Sequence, residues 1–575
     1  MSRHIDDPAR LPPFERVLSG VADARPADPS SGLLPVAAHK QDCLAALALP
    51  GGRFAVVSTV DEVHRPDWYR LVQAGKARGL VFAGHWTADA GVLASLRAGV
   101  AAAPAEPTAD ERRAEEAARD IEAMVADSSP LEWFRGIVSR CLHAGASDLH
   151  LELRGPVALA RVRLDGRMRV LGRYPARHAM NGVSAAYTML AEERSRTEVA
   201  FNGGVPQAAM IPLDLPGQRL TLRYQSHPAV GGMDVVIRLL RAAAPATGAQ
   251  ARDPRRTLAS LGFTPWQASR LGEALASAWG GVFVAGVTGS GKTTTLNTMM
   301  GMLAAEGSRK LFTIEDPVEY ETPGVSHLSI QRGASGGADP FHAAMLAFLR
   351  MDPDVGLFGE IRDALSASMA QAAIQTGHKI LSTVHATSAL GIVGRLSSRL
   401  LGLDRADLCD PEFLSALVYQ VLMPLNCEQC KRPAVQVMSA RALAVYETGF
   451  GLDPLTIHCA SARGCPHCRR PGIDYGDADD GDEARNGTAG VKVGAEVIVP
   501  DLRLLDLLRQ GRDAEARRHW RRRRATAFSD PDMDGKDAWG HVLHDVARGR
   551  VDPFHFERAF GSAALLAKTL ADDED

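Results

Sequence analysis

The chain has 575 residues, of which 46% are hydrophobic and 23% are charged, and these proportions are those of a soluble globular protein. The length corresponds to about three to four domains, and the composition excludes a disordered chain, a fibrous protein and a coiled coil. With 65 basic and 68 acidic residues, the net charge of −3 gives no overall attraction to nucleic acid or anionic membrane. No apolar run reaches the roughly 18 residues of a membrane span, and the polar N-terminus lacks a secretory signal, so we expect a cytoplasmic protein.

The N-terminal region predicts a small α/β domain. Residues 1–35 are rich in Pro, Ala and Asp and predict a mobile lead-in. The segments RFAVVSTV, PDWYRLVQAGKARG, LVFAGHW and DAGVLASLRAG then predict strand, helix, strand and helix. We interpret residues 1–105 as a docking domain because they carry no chemical signature. The Ala-, Glu- and Pro-rich residues 106–129 predict a linker.

Residues 130–245 predict a second domain of the α+β type. SPLEWFRGIVSRCLHAGA has apolar residues at helical spacing. Two alternating segments on either side of Asp165-Gly166 predict a β-hairpin, since this dipeptide is a strong signal for a tight turn. RLTLRYQSHPAV and MDVVIRLLRAA predict two further strands. An Ala-, Pro- and Gly-rich stretch ends the domain.

The pattern over 255–575 alternates between helix and strand, and it contains a phosphate-binding loop. LASLGFTPWQASRLGEALASAWG predicts one helix, and GVFVAG predicts a parallel strand buried on both faces. The sequence GVTGSGKT follows this strand and precedes an apolar-faced helix, the context that a nucleoside triphosphate site requires. Its glycines allow backbone N–H groups to surround phosphates, Lys292 can reach the β- and γ-phosphates, and Thr293 offers a hydroxyl to Mg²⁺. The candidate binding residues are Gly286, Thr288, Gly289, Ser290, Gly291, Lys292, Thr293 and Thr294.

Acidic residues and a histidine follow three further predicted strands. Glu315 and Asp316 follow KLFTI, Glu360 follows VGLFG, and His385 follows KILSTV. Because the carboxyl ends of parallel strands meet at one sheet edge, we expect these residues beside the phosphate loop. Phosphoryl transfer to water requires carboxylates that hold Mg²⁺ and orient the water.

Four cysteines form two CxxC pairs, which in a cytosolic chain favours a tetrahedral zinc site over disulfides. The predicted ligands are Cys427, Cys430, Cys465 and Cys468. The other four cysteines have no partner pattern, and we expect ordinary buried thiols at Cys43, Cys141, Cys409 and Cys459.

Two charged segments occur near the C-terminus. The acidic, Gly-rich residues 474–490 predict a disordered loop. The basic run ARRHWRRRR at 516–524, which includes Arg517–Arg524, has two interpretations. It could bind nucleic acid, with Trp520 stacked on a base, or it could form a solvated helix or an electrostatic contact to an acidic partner or lipid. The second interpretation is the commoner one for a charge run.

Four motifs in order resemble the secretion ATPase family, the motors of type II secretion and type IV pilus assembly. GVTGSGKTTTL, TIEDPVEY, LRMDPDVGLFGEIRD and TGHKILSTVHATSA resemble its Walker A, Asp box, Walker B and His box, and the resemblance covers about 130–510. It implies a multidomain α/β fold with a RecA-like P-loop ATPase core. It also implies that the α+β domain before this core is PAS-like, and that a tetracysteine zinc module at about 424–500 is inserted in the C-terminal part, before a helical C-terminus.

The resemblance also implies roles for residues outside the phosphate loop. Glu360 matches the Walker B glutamate that polarises water, Glu315 matches the Asp-box acid, and His385 matches the His-box histidine. Arg223 in LTLRYQ and Arg238 in VVIRLL match arginines that approach the γ-phosphate and stabilise transition-state charge.

Two positions depart from the family pattern. Gly356 lies in the Walker B strand, where a β-branched residue is usual, and Ala386 follows His385 where a Thr is common. Neither departure removes a catalytic group, so we still expect hydrolysis.

The resemblance implies a homohexameric motor that hydrolyses ATP with Mg²⁺, contains Zn²⁺, and powers pilus assembly or type II secretion. Such a motor is cytoplasmic and associates with the inner membrane through a platform protein. The first alternative is a nucleic-acid-translocating RecA-like ATPase, which the balanced charge and the absence of a nucleic-acid-binding signature disfavour. The second is a non-hydrolysing scaffold, which is disfavoured because every catalytic position is occupied.

Overall fold

A computed structural model divides the chain into two compact units, Met1–Ala117 and Ala118–Asp575. The prediction of a mobile lead-in over residues 1–35 is wrong where the structure describes that segment, because short strands there pair with other strands of the chain. The predicted linker, 106–129, lies outside the described residues except for residue 129. Among those residues, no helix is both long and apolar enough to cross a membrane. The described residues are 3–5, 14, 16–17, 19–21, 34–36, 40, 42–63, 65–97, 129–215, 218–241, 253–330, 339–475 and 485–574.

The first unit contains a five-stranded sheet of order β1-β7-β6-β5-β2 and a separate parallel pair, β3 and β4. The predicted strand–helix–strand–helix succession is confirmed over β6, α1, β7 and α2. The elements are β1 (Arg3–Ile5), β2 (Arg16–Val17), β3 (Ser19–Val21), β4 (Leu34–Val36), β5 (Leu44–Leu49), β6 (Arg53–Ser58), α1 (Pro66–Ala77), β7 (Val81–Ala88) and α2 (Ala90–Arg97).

The second unit begins with an antiparallel sheet of order β10-β9-β8-β13-β12-β11, which we call the arginine-bearing sheet. Two helices pack on one face of this sheet. The apolar residues that alternate along its strands form one hydrophobic core with the apolar residues of the two helices. The predicted hairpin is confirmed, with Asp165 at φ 47° and Gly166 at φ 80° in the turn. The elements are α3 (Pro130–Ala144), β8 (Asp148–Arg154), β9 (Val157–Leu164), β10 (Arg167–Pro175), α4 (Ala176–Leu190), β11 (Gln207–Leu215), β12 (Gln218–Ala229) and β13 (Gly232–Arg241).

A seven-stranded sheet of order β16-β15-β17-β18-β14-β19-β22 forms the core of the rest of the chain. Its first six strands are parallel, and β22 pairs with β19 in the antiparallel direction. Helices cover both faces, as the uninterrupted apolar strands predict. The strands are β14 (Gly280–Ala285), β15 (Leu311–Glu315), β16 (Val325–Ser329), β17 (Val355–Phe358), β18 (Lys379–Val384), β19 (Leu414–Asn426) and β22 (Thr488–Ile498).

The helix predicted from LASLGFTPWQASRLGEALASAWG is confirmed only from Pro265 onward, because the first two residues of the segment end a separate helix. α5 (Pro254–Ala259) ends before Gly262, whose φ of 113° interrupts the helix. α6 (Pro265–Ala276) then begins with a capping box between Thr264 and Gln267. The other helices around the sheet are α7 (Lys292–Glu306), α8 (Pro340–Phe348), α9 (Ala364–Gln375), α10 (Gly391–Leu396) and α11 (Arg405–Leu408).

The cysteine-containing segment lies between β19 and β22 of this sheet. Residues 424–426 and 488–498, near the two ends of the predicted 424–500 module, therefore belong to strands of the sheet and not to a separate module. It contains β20 (Arg432–Pro433), α12 (Ala440–Phe450) and β21 (His458–Cys459). The C-terminus is helical, with α13 (Leu502–Arg509), α14 (Asp513–Arg521), α15 (Ala538–Ala547), α16 (Pro553–Phe560) and α17 (Ala563–Glu574).

The prediction of a disordered loop over 474–490 is wrong at both ends of the segment. Asp474 donates its backbone N–H to Val170 O at 2.9 Å, and Arg485 is buried. Strand β22 begins at Thr488. These ends pack against other parts of the chain, which composition alone does not reveal. Residues 476–484 lie outside the described part of the chain.

Candidate nucleotide site and cysteine cluster

A cleft of about 990 Å³, which we call the interdomain cleft, lies between the arginine-bearing sheet and the seven-stranded sheet. The strand order β15-β17-β18-β14 brings four carboxyl ends to one edge of the parallel sheet. Glu315, Glu360 and His385 therefore lie beside the phosphate loop, as predicted. Arg223 and Arg238 line the cleft from the opposite side. Of the predicted nucleotide-binding residues, Thr288 to Thr294 line the cleft, and Gly286 lies at the base of the loop.

Close packing explains the glycine at the base of the phosphate loop. A Cβ at Gly286 would lie 2.3 Å from Gln420 O and 2.4 Å from Ser290 Oγ, so no other residue fits there. Gly291, at φ 83°, precedes α7 and directs the helix N-terminus into the cleft. Free backbone N–H groups at a helix N-terminus favour an anion. The loop is thus shaped to surround phosphate.

Lys292 is held by the loop that precedes it. Its Nζ donates to Gly286 O at 2.9 Å and to Val287 O at 3.1 Å. Burial lowers the pKa of Lys292, and the nearby Glu360 carboxylate opposes this effect. The ammonium group therefore lies inside the site where it can exchange carbonyl oxygens for phosphate oxygens.

Glu360 lies between a histidine and an arginine. Its Oε1 is 3.0 Å from His385 Nε2, and its Oε2 accepts a hydrogen bond of 2.6 Å from Arg362 Nε. Both contacts fix the direction of the carboxylate at the end of β17. The carboxylate lines the interdomain cleft together with the phosphate loop.

Glu315 is the buried last residue of β15. Its Oε1 has no hydrogen-bond partner within the described part of the chain, and His327 Nδ1 is 3.9 Å away. A buried carboxylate oxygen without a donor requires a cation or water. Together with the Thr293 hydroxyl, which also lines the cleft, this donor set fits Mg²⁺ and its waters.

Acidic residues hold the two arginines in place on neighbouring strands of the arginine-bearing sheet. Arg223 and Arg238 are directly opposite each other on β12 and β13, and Arg238 is opposite Asp148 on β8. Arg238 Nε donates to Asp148 Oδ1 at 2.9 Å, and Arg223 Nη1 donates to Glu319 Oε1 at 3.1 Å. The second contact links the arginine-bearing sheet to the loop after β15.

Sequence reasoning assigned no role to four residues that position this site: Asp148, Glu319, Arg362 and Gln420. Gln420 is fully buried, and its Nε2 donates to Ser290 O in the phosphate loop at 2.7 Å. A polar residue inside the apolar strand ALVYQVLM was the available signal for it. The other three were identifiable only once strand register or side-chain geometry was known.

The departure at Gly356 has a packing reason. A Cβ at this position would lie 2.7 Å from Phe348 Cζ, so the Phe348 ring occupies the space of a β-branched side chain. The Phe348 ring therefore fills the volume that a larger residue at position 356 would occupy, and the position of Glu360 is unaffected. Nothing in the structure explains Ala386.

The basic run is engaged within the protein. Trp520 is 1% exposed, so its ring is not available to stack on a base. Arg521 pairs with Asp537 at 2.6 Å, and Arg523 pairs with Asp501 at 2.8 Å. These contacts join α13, α14 and the segment before α15, which is a structural role.

The four predicted zinc ligands lie together. Cys427 Sγ is 3.8 Å from Cys465 Sγ, Cys430 Sγ is 3.8 Å from Cys468 Sγ, and all four sulfurs lie within 4.8 Å of one another. Four thiolates at about 2.3 Å from a tetrahedral zinc are about 3.8 Å apart, so the geometry fits Zn²⁺. Of the remaining cysteines, three are buried as predicted, whereas Cys43 is only partly buried.

A family model described as type II/IV secretion system protein matches residues 125–475, more than half of the chain. The putative type II secretion system protein E of Escherichia coli (strain K12) is 31% identical over 342 residues, 58% of this chain and 62% of that protein. The type IV pilus assembly ATPase PilB of Acinetobacter baylyi is 31% identical over 345 residues, 60% of this chain and 55% of that protein. The chain therefore spans less than two thirds of these relatives.

Two solved structures overlay on this chain at low sequence identity. The ATPase DotB of Legionella pneumophila is 16% identical, with a TM-score of 0.49 over 75% of this chain and 95% of that chain. The pilus retraction motor PilT with bound ADP is 20% identical, with a TM-score of 0.45 over 74% and 95%.

Proposed function

The chain belongs to the type II/IV secretion system protein family, and we propose that it is an ATPase motor for type IV pilus assembly or type II protein secretion. One observation carries the proposal. In the interdomain cleft, a phosphate loop, two carboxylates and a histidine share one sheet edge and face two arginines. Few groups other than a nucleoside triphosphate require this combination.

Each residue has a defined part in the proposed reaction. The phosphate loop and Lys292 bind the β- and γ-phosphates, and Glu360 orients water for attack on the γ-phosphorus while the bond to ADP breaks. His385 lies on the same side and contacts the water-orienting carboxylate. Arg223 and Arg238 leave their acidic partners and stabilise the charge of the transferred group.

Two metal ions complete the proposal. Glu315 and the Thr293 hydroxyl would hold Mg²⁺, which would supply the positive charge that neutralises the phosphates. The four cysteines hold Zn²⁺ in a closed site, which is structural because no position is left for water. Since metal affinity at such sites is largely folding free energy, zinc stabilises the segment between β19 and β22.

We further propose the assembly that the family resemblance implies. The motor is a homohexamer in the cytoplasm that associates with the inner membrane through a platform protein, and residues 1–105 form a docking domain. The domain at 130–245 is PAS-like, and the core at 255–575 is RecA-like. Closure of the cleft on ATP and its opening after hydrolysis supply the motion.

Nucleotide turnover by the purified full-length chain tests the proposal. We expect Mg²⁺-dependent release of phosphate from ATP, and we expect Lys292→Ala to lose ATP binding because the loop loses its cation. Arg503→Ala, in an exposed pair with Asp506, is the matched control. Absence of Mg²⁺-dependent turnover, or stimulation of turnover by DNA, contradicts the proposed function.

A further inference from the structure

The turn of the β9–β10 hairpin contacts the strand that closes the seven-stranded sheet. Asp165 Oδ2 accepts hydrogen bonds from Thr488 Oγ1 at 3.2 Å and from Gly490 N–H at 3.3 Å. Asp165 and Gly166 also line the interdomain cleft. The tip of the hairpin is therefore attached to β22 beside the proposed nucleotide site.

Arg169 makes the central contact of this hairpin. Its guanidinium lies 5.0 Å from the centroid of the Tyr475 ring, and Arg469 lies 5.1 Å from the same ring. Arg169 Nη2 also donates to Asn486 Oδ1. Cation–π contacts and charge-assisted hydrogen bonds are strongest where the groups are partly desolvated, as here. Tyr475 and Asn486 belong to the segments that follow the second cysteine pair.

Arg167 extends the contact to the C-terminal helices. Its Nη1 donates to Arg485 O at 3.1 Å, and its Nη2 is 2.9 Å from His555 Nε2. Burial, with Arg167 itself nearby, lowers the pKa of His555 to about 3, so the ring is neutral and accepts this hydrogen bond. The hairpin is thus bound by three segments of the C-terminal part of the chain.

The order of strands gives these contacts their significance. β10 is one edge of the arginine-bearing sheet, whereas Arg223 and Arg238 lie on β12 and β13 towards the other edge. Near that second edge, Arg223 pairs with Glu319 in the loop after β15. The arginine-bearing sheet is consequently attached to the C-terminal part of the chain near both of its edges. The hairpin contact fixes the edge that carries no candidate catalytic residue.

We propose that the β9–β10 hairpin docks in cis onto the segments 470–475 and 485–490, and that Arg169 is a positioning residue for hydrolysis. It touches no nucleotide group. It acts by holding the sheet at the distance from which Arg223 and Arg238 reach the γ-phosphate. The positioning role of Arg169 rests on the proposed function, because it concerns ATP turnover. The docking contact does not depend on that function.

Two readouts on the full-length chain test the proposal: steady-state ATP turnover, and hydrogen exchange of peptides covering 165–175. We expect Arg169→Ala to lower kcat by about tenfold or more, with KM for ATP changed by less than about threefold. In Arg169→Ala, the hydrogen-exchange rate rises in the hairpin and not in α7. In Arg169→Lys, both kcat and the exchange rate lie between those of Arg169→Ala and those of the native chain. Arg219→Ala, on the same sheet in an exposed pair with Asp214, is the matched control and leaves both readouts unchanged.

A triple variant separates positioning from general destabilisation. In a background that carries both Arg223→Ala and Arg238→Ala, Arg169→Ala lowers kcat by less than about a further twofold, because both groups that it positions are already absent. Multiplicative losses contradict the positioning role, as does native kcat in Arg169→Ala. If the hairpin of Arg169→Ala exchanges hydrogen at the same rate as in the native chain, the docking contact itself is contradicted. If the native chain shows no ATP turnover, the proposed function is rejected. The hydrogen-exchange measurement then still tests whether the hairpin docks.

Discussion

Arg223 and Arg238 each have an acidic partner on the wall of the interdomain cleft. Glu319 and Asp148 hold their guanidinium groups at the cleft wall. Such pairs keep an arginine extended and oriented until a more strongly charged group competes for it. The proposed exchange of a carboxylate for the γ-phosphate during hydrolysis follows from this arrangement.

Replacing either arginine tests this role. We expect Arg223→Ala and Arg238→Ala to reduce kcat by about 100-fold or more, since arginine fingers elsewhere contribute about 10³ to 10⁵. Nucleotide affinity falls much less, because the phosphate loop is intact. Arg154→Ala, in an exposed pair with Asp234 on the same sheet, serves as the control. If both variants hydrolyse ATP at the native rate, the arginine-bearing sheet is not part of the site.

The buried carboxyl group of Glu496 gives a second prediction at this scale. Glu496 accepts the Ala389 backbone N–H at 2.9 Å, and burial, with the adjacent Asp537, raises the pKa of Glu496 to about 8. A folded-state pKa above the ordinary value stabilises the protein at low pH. That contribution is lost as pH rises from about 4.5 to about 8.

Glu496→Gln keeps the buried side chain neutral at every pH. We therefore expect the melting temperature of Glu496→Gln, relative to the native chain, to rise between pH 5.5 and pH 8.5. Lys379, whose pKa burial lowers to about 7, contributes with the opposite sign, and this contribution cancels in the difference. A constant difference across this range contradicts a protonated Glu496.

Residue types predicted much of the site, and geometry supplied the rest. The phosphate loop, Glu315, Glu360 and His385 were identifiable because each follows an apolar strand at a fixed spacing. Asp148 and Glu319 were not, because their importance depends on which strand or loop lies beside them.

At the scale of elements, local signals worked where a turn or cap is encoded by adjacent residues. The Asp165-Gly166 hairpin and the parallel strands were predicted for this reason. The helix predicted before β14 started too early, because the pattern of apolar residues continues through Gly262, while the Thr264 cap starts a new helix. The order at Arg485 also escaped prediction, since it results from contacts to Arg167, which is 318 positions away, and to Asp552 and Phe554 at the start of α16.

The cysteine segment gives a prediction for a whole element. We expect one zinc per chain, and we expect Cys465→Ser with Cys468→Ser to lose the metal and expose 427–475 to proteolysis. ATP binding survives, because the phosphate loop belongs to the seven-stranded sheet. Replacing Cys141 and Cys409 by Ser leaves the zinc content unchanged and is the matched control. A native zinc content in the first double variant contradicts the four-thiolate site.

At the scale of the molecule, the seven-stranded sheet and the arginine-bearing sheet are complementary halves of one site. The first provides the phosphate loop and carboxylates, and the second provides positive charge from across the cleft. The succession of α/β and α+β regions was readable from periodicity. The antiparallel closure by β22 and the cis contacts of the hairpin were not, because long-range pairing leaves no local pattern.

The behaviour of Glu360→Gln tests the central claim most directly. The substitution keeps the phosphate loop and the side-chain shape but removes the negative charge that orients water. We predict that the variant binds ATP with an affinity within a few-fold of the native chain and retains it unhydrolysed in a single-turnover measurement, with turnover reduced by about 100-fold or more. Near-native turnover in Glu360→Gln would contradict the assignment of this cleft as the site of ATP hydrolysis.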